Sequence, residues 1–186
     1  MRIIGGKFKG KNIQFLKNST TRPLKDSVKE NIFNILAHSN ILSVRIDGSS
    51  ILDLYSGVGS FGIEALSRNA KKVTFVEQDE KAFRLLKENI LRLPMNNKSK
   101  IINDKIENIL NKENKEKFDI FFLDPPFLDE SFIENLKTIK DKRIFKKDHI
   151  VLVHRKSNSE DKFKDIFFPI LVKKYGKSKI IFGKFN

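Results

Sequence analysis

Four acidic side chains in this sequence stand at or just behind the ends of short apolar runs. They are Asp53 after Ile51-Leu52, Glu77 after Phe75-Val76, Asp104 after Ile101-Ile102, and Asp124 after Phe121-Phe122-Leu123. The last is followed by Pro125-Pro126-Phe127. Two prolines end a strand ladder and hold the backbone rigidly. The tetrapeptide therefore presents a carboxylate, a free proline carbonyl and an aromatic ring at one point. That set suits a planar exocyclic amine, a weak nucleophile whose lone pair is delocalised into its ring. Two acceptors, the Asp124 carboxylate and the Pro125 carbonyl, can hold the amine hydrogens while Phe127 stacks on the base, a contact worth roughly 1–3 kcal/mol. Catalysis would then be positioning and electrostatics for an in-line displacement, with no metal and no strong base. The plain alternative is a Pro-Pro turn that only caps a strand.

A second constellation lies upstream, in Asp53-Leu54-Tyr55-Ser56-Gly57-Val58-Gly59-Ser60-Phe61-Gly62. Its glycines permit a tight turn and close approach of a ligand to backbone N–H groups. The formal match to G-x-G-x-x-G also admits NAD or FAD, or an ordinary strand–turn–helix loop. Asp53 tilts the balance, because a carboxylate beside the loop disfavours a diphosphate and suits an ammonium. S-adenosyl-L-methionine (SAM) carries an ammonium, a sulfonium and a ribose but no phosphate. Asp53, Tyr55, Ser56, Gly57 and Gly59 are therefore candidate cofactor contacts. Glu77, with its neighbour Gln78, lies about 20 residues beyond the loop, where an acid can accept from ribose hydroxyls. Asp104 is a candidate acceptor for an adenine amino group, though a solvated loop aspartate reads equally well.

The elements around these residues alternate. Ser27-Val28-Lys29-Glu30 has capping-box spacing and predicts a helix over 27–38. Strands are predicted at 51–54, 72–77, 101–102, 118–123 and 150–153, with helices at 60–69, 82–93, 106–110 and 132–139 between them. A closing hairpin is expected around Gly176. Such alternation implies an α/β fold, a parallel sheet covered on both faces, with ligands at the carboxyl ends of its strands near the switch in strand order. The segment before the first strand, with Gly5, Gly6 and Gly10 among Arg2, Lys7, Lys9 and Lys11, suggests a small β-hairpin. A division into an N-terminal extension (1–40) and a main domain (41–186) is expected.

The 186 residues carry a formal charge of +14, no Cys, no Trp and 17 Phe. Without Cys there is no disulfide, thiolate zinc site or Cys nucleophile. No apolar run approaches the roughly 20 residues of a membrane span, and the first residues lack a signal-peptide core, so a soluble cytoplasmic protein is expected. The charge favours a nucleic-acid partner, although codons of an A- and T-rich genome also enrich Lys, Asn and Ile. His38, His149 and His154 match no metal spacing and receive no role.

With these motifs in place, the sequence resembles the bacterial 16S rRNA (guanine(966)-N(2))-methyltransferases, which are class I SAM-dependent enzymes. The likeness runs through Met1–Gly10, Arg22-Pro23, Asp26, Glu30, Phe33–Leu36, Leu52–Gly59, Gly62–Arg68, Phe75–Glu77 and Leu123–Phe127. The stretch from Lys140 onward matches loosely and receives no transferred role. The resemblance implies a Rossmann-like seven-stranded class I methyltransferase sheet with a hairpin-and-helix extension. It also implies one methyl transfer from SAM to a guanine N2 amine of 16S rRNA, on a small-subunit assembly particle, by a monomer. Through it Arg2, Lys7, Lys9, Arg22 and Lys25 become candidate RNA contacts, with Lys29 a weaker one. A DNA adenine or protein glutamine N-methyltransferase is the competing enzyme reading. A non-catalytic RNA-binding assembly factor is the competing non-enzyme reading.

Overall fold

A computed structural model describes residues 1–16, 24–94, 96–113, 116–163 and 165–186. Among these residues seven strands form one sheet: β1 (Ser50–Leu54), β2 (Lys72–Glu77), β3 (Ser99–Asn103), β4 (Phe118–Leu123), β5 (Phe145–Lys156), β6 (Phe168–Tyr175) and β7 (Ser178–Lys184). Their order is β3-β2-β1-β4-β5-β7-β6. The pairs among β1 to β5 are parallel, and β7 lies antiparallel between β5 and β6. Five α-helices among the described residues cover it: α1 (Asp26–His38), α2 (Ser60–Ser67), α3 (Glu80–Leu91), α4 (Ile106–Asn111) and α5 (Phe132–Asp141).

Strand periodicity sorts the core into two layers. Ile51, Val73, Phe75, Ile120, Phe122, Ile150 and Leu152 pack with α1, α2 and α3. Leu52, Leu54, Val76, Phe121, Leu123, Val151 and Val153 pack with α4 and α5. Near-continuous apolar strands are what a sheet buried on both faces requires. The parity also assigns faces to the polar residues at strand ends. Asp53 and Glu77 share the α1–α3 side with Ile51 and Phe75.

Two glycines of the loop after β1 are needed for different reasons. Gly59 has φ 86°, a left-handed conformation costly for other residues, and caps α2. Gly62 has ordinary backbone, but a Cβ there would overlap Phe75 Cε1 and stand 2.8 Å from Val73 Cγ1. It lets α2 lie close on β2. Gly62→Ala should cost about 1–3 kcal/mol through overpacking against a buried ring. Thermal unfolding should show a drop of several degrees, at roughly 2–4 °C per kcal/mol for a chain this size. An unchanged melting temperature would show that the contact yields.

Three local expectations are corrected. The N-terminal segment folds back antiparallel as expected, Ile3 N–H donating to the Lys11 carbonyl and Ile13 N–H to the Met1 carbonyl, but it forms no extended pair of strands. Arg2 and Asn12 form an isolated bridge around a 3₁₀ turn at Gly6–Phe8. Its Ile4 and Gly5 N–H groups go instead to the Glu64 carboxylate, at 2.7 and 2.8 Å. Ser27 does not cap α1, which starts at Asp26 with Lys25 as N-cap and no side-chain cap bond. Lys29 is fully buried, with Nζ 2.8 Å from the Arg2 carbonyl and 3.9 Å from Glu64, so it cannot reach an RNA phosphate. Ile3 and Ile13 belong to the same apolar cluster as α1 and α2.

Candidate active site

The strand order reverses between β1 and β4, where an open α/β sheet offers a crevice at its carboxyl edge. Asp53 lies in β1, Glu77 ends β2, and Asp124 follows β4, so three carboxylates stand on three adjacent strands there. Asp53 is 1% exposed, and its Oδ2 accepts from the Gly62 N–H at 3.0 Å. Burial raises its pKa well above the ordinary aspartate value, and the negative charges of Asp124 and Glu77 push it further up. Glu77 is likewise raised, first by burial. Its oxygens accept from Gly57 N–H and Asp79 N–H, both at 2.7 Å, tying the glycine loop to the end of β2.

The cluster repels itself, and a ligand that relieves it carries positive charge. A diphosphate would add to the repulsion, whereas an amino-acid ammonium or a sulfonium would remove it. The donor set therefore fits SAM better than NAD or FAD. One pH dependence follows. An acid whose folded pKa is raised binds its proton more tightly when folded, so Asp53 contributes stability as pH falls from its raised value toward the ordinary one. Wild type should gain stability relative to Asp53→Asn across that window in denaturant titrations. Equal pH slopes would contradict the raised value.

At the fourth strand, Asp124 Oδ1 lies 2.7 Å from His154 Nδ1, on neighbouring β5. Among the described residues, neither Asp124 Oδ2 nor the Pro125 carbonyl has a hydrogen-bond partner, and the Asp124 side chain is 26% exposed. Phe127 is exposed and sits edge-on to the His154 ring at 5.6 Å, and Leu128 beyond it is 96% exposed. The turn is held from behind. Arg155 Nη1 donates to the Pro126 and Asp129 carbonyls at 3.2 Å each. Its Nε donates to Asp161 at 2.8 Å, and the guanidinium lies 4.3 Å from the centre of the Phe132 ring.

Other sequence candidates face elsewhere. Ser56 turns inward, its hydroxyl donating to the Asp53 carbonyl at 2.6 Å and accepting from Val76 N–H at 3.0 Å. It staples β1 to β2. Tyr55, at φ 58°, accepts from Asn135 Nδ2 of α5 at 3.0 Å, and burial pushes its phenol up to about 12. Gln78 is exposed at the end of β2. Asp104 points to α4, accepting from Asn108 at 2.7 Å and Lys112 at 3.1 Å. Of the basic candidates, Arg2, Lys7, Lys9 and Lys25 are exposed, with Arg2 3.6 Å from Asp26. Arg22 lies outside the described residues. His154 and Arg155 were missed by sequence reasoning. The available signal was a polar pair directly after the apolar run Ile150–Val153 of β5.

Comparison with known proteins follows the same lines. The family described as Conserved hypothetical protein 95 matches residues 1–184. Ribosomal RNA small subunit methyltransferase D of Haemophilus influenzae is 40% identical over 129 residues, spanning 68% of this chain and 64% of that one. Its Escherichia coli (strain K12) counterpart is 32% identical over 141 residues, spanning 76% and 67%. This chain belongs to the ribosomal RNA small subunit methyltransferase D family. The solved Escherichia coli yhhF structure superposes with a TM-score of 0.84 at 25% identity, over 100% of this chain and 98% of that one. The sheet is thus the Rossmann-like class I methyltransferase α/β sheet expected from the sequence. In this methyltransferase D family member, the glycine loop after β1 and the Asp124-Pro125-Pro126-Phe127 segment after β4 both lie at the carboxylate-lined edge of the sheet.

Proposed function

We propose that this protein transfers a methyl group from SAM to the exocyclic N2 amine of a guanine in 16S rRNA of the small ribosomal subunit. The observation that carries the reading is that Asp124 Oδ2 and the carbonyl of the next residue, Pro125, both lack a hydrogen-bond partner among the described residues, one strand away from buried Asp53. SAM, when bound, supplies an electrophilic methyl on a positively charged sulfur. Asp53 and Glu77 provide the negative charge to hold its cationic end and accept from its ribose, and the Gly57–Gly59 turn leaves room beside them. Gly57 has φ 55°, and a Cβ there would meet nothing within 4 Å.

On the acceptor side, Asp124 and Pro125 hold the two amine hydrogens and so aim the nitrogen lone pair. Holding geometry in this way removes much of the entropic part of the barrier. The nitrogen that gains a methyl must lose a proton, and the Asp124 carboxylate is in place to take it. Phe127 stacks on the base, and exposed Leu128 extends that apolar surface. Arg2, Lys7, Lys9 and Lys25 contact phosphates, which set register and affinity but not sequence. Guanine, the N2 position and the ribosomal substrate come from the family, and a small-subunit assembly particle in the cytoplasm, acted on by a monomer, is the setting it suggests.

The test is transfer of labelled methyl to unmodified small-subunit particles, naked rRNA and DNA, followed by nucleoside analysis. N2-methylguanosine from the ribosomal substrates is expected. Methyladenine from DNA, or label in protein, would overturn the substrate.

A further inference from the structure

His154 occupies a place where the sheet asks for an apolar side chain. Its β5 neighbours from Ile150 to Val153 are all buried and apolar, and its strand partner on β7 is buried Ile180. The ring is nonetheless polar, and its Nε2 is buried without a hydrogen-bond partner among the described residues. A buried polar atom without a partner is a cost, and a leucine at this position would avoid it. What the histidine supplies in return is one contact, Nδ1 to Asp124 Oδ1 at 2.7 Å. A carboxylate can only accept, so the hydrogen of this bond lies on Nδ1. The ring is held in place by its burial and by the edge-on contact with Phe127.

We propose that His154 is a positioning residue for Asp124. Its Nδ1–H occupies Oδ1 and fixes the rotation of the carboxylate, so that Oδ2 is the oxygen offered to the amine beside the Pro125 carbonyl. The next residue supports the same segment from the opposite face of the sheet. Arg155, whose side chain alternates to the α4–α5 layer, clamps the Pro126 and Asp129 carbonyls. The end of β5 thus grips the Asp124–Asp129 segment from both sides, with only His154 touching the acceptor itself. The inference rests on the reading of Asp124 as the group that holds the amine.

An Asn/Gln pair tests it, because the Asn amide nitrogen overlays the Nδ1 position of histidine and the Gln amide nitrogen overlays Nε2. His154→Asn should keep kcat within a few-fold of wild type. His154→Gln and His154→Leu should lower kcat by roughly 10- to 100-fold, by analogy with the loss of a group that orients a metal-ligating carboxylate or imidazole. KM for SAM, and SAM affinity by calorimetry, should be unchanged in all three. A Gln variant with wild-type kcat, or Asn and Gln variants equally impaired while both bind SAM normally, overturns the proposal. If Asp124→Ala itself remains active, the underlying reading fails instead, and the two failures are distinguishable in one assay series.

Discussion

Asp124→Ala should lower methyl transfer by at least about 100- to 1,000-fold, the usual loss when one preorganised polar contact to a reacting group is removed. SAM should still bind. The two halves of this expectation come from separate parts of the site. Asp124 lies one strand from Asp53 and adds negative charge near it, but the hydrogen bonds that shape the glycine loop come from Asp53 and Glu77. Removing Asp124 therefore relieves some repulsion at Asp53 while leaving the loop intact. The fold should tolerate the change at modest cost, because the buried Nδ1–H of His154 loses its acceptor, a penalty of about 1–3 kcal/mol. Asp124→Asn separates geometry from charge. It keeps the shape of the side chain, and Arg155 still holds the turn. Single-turnover transfer with saturating SAM, beside calorimetry with SAM alone, measures both halves. Retained transfer in the Ala variant would remove Asp124 from the mechanism. Lost SAM binding would move Asp124 from the acceptor side to the cofactor side.

The parts of the site that could be read from the sequence are those marked by backbone punctuation. Gly57, Gly59 and Gly62 signal a turn with special φ and a close helix, and Pro125-Pro126 signals a strand that must stop. Those residues restrict the chain locally, so their effect is visible in a window of ten residues. His154 and Arg155 act on partners about 25 to 30 residues away, through register between β4 and β5, and no local spacing records that. Tyr55 and Ser56 show the opposite limit. Their position in the loop was legible, but the side of the loop each faces depends on Asn135 and Val76, which the loop sequence does not contain. Lys29 reads from the sequence as a weaker candidate for an RNA contact on a helix surface. Its burial follows from the N-terminal segment folding over α1 and α2, where its ammonium meets a backbone carbonyl and Glu64.

That same burial makes Glu64→Leu the substitution with the largest expected effect on stability, about 3–5 kcal/mol, the range for breaking a buried charge pair by removing one partner. Glu64 and Lys29 are both fully buried, 3.9 Å apart. Glu64 also accepts from Ile4 N–H, Gly5 N–H and Arg68 Nε, each within 2.8 Å. Burial already holds the Lys29 pKa below its usual value, and the nearby Glu64 charge is the largest influence opposing that. Without Glu64 the ammonium keeps the Arg2 carbonyl and the Ser60 hydroxyl, its remaining carboxylate among the described residues is partly solvated Asp26 at 3.7 Å, and two backbone N–H groups lose their acceptor. The expected drop in melting temperature is roughly 6–20 °C at 2–4 °C per kcal/mol. Adding Lys29→Met should recover part of the loss, because the double variant no longer buries an unpaired charge. It should not recover all of it, since Ile4 and Gly5 remain unsatisfied. Hydrogen exchange should locate the remainder, with amide protection lost at residues 1–13 before the sheet. Because that segment carries the proposed RNA contacts Arg2, Lys7 and Lys9, RNA affinity of the double variant should fall further than SAM affinity does. A Glu64→Leu protein that melts within a degree or two of wild type, with Ile4 and Gly5 still protected, would mean that the N-terminal segment is held without Glu64, by Ile3 and Ile13 packing and by its bonds to Ser67 and Asn89.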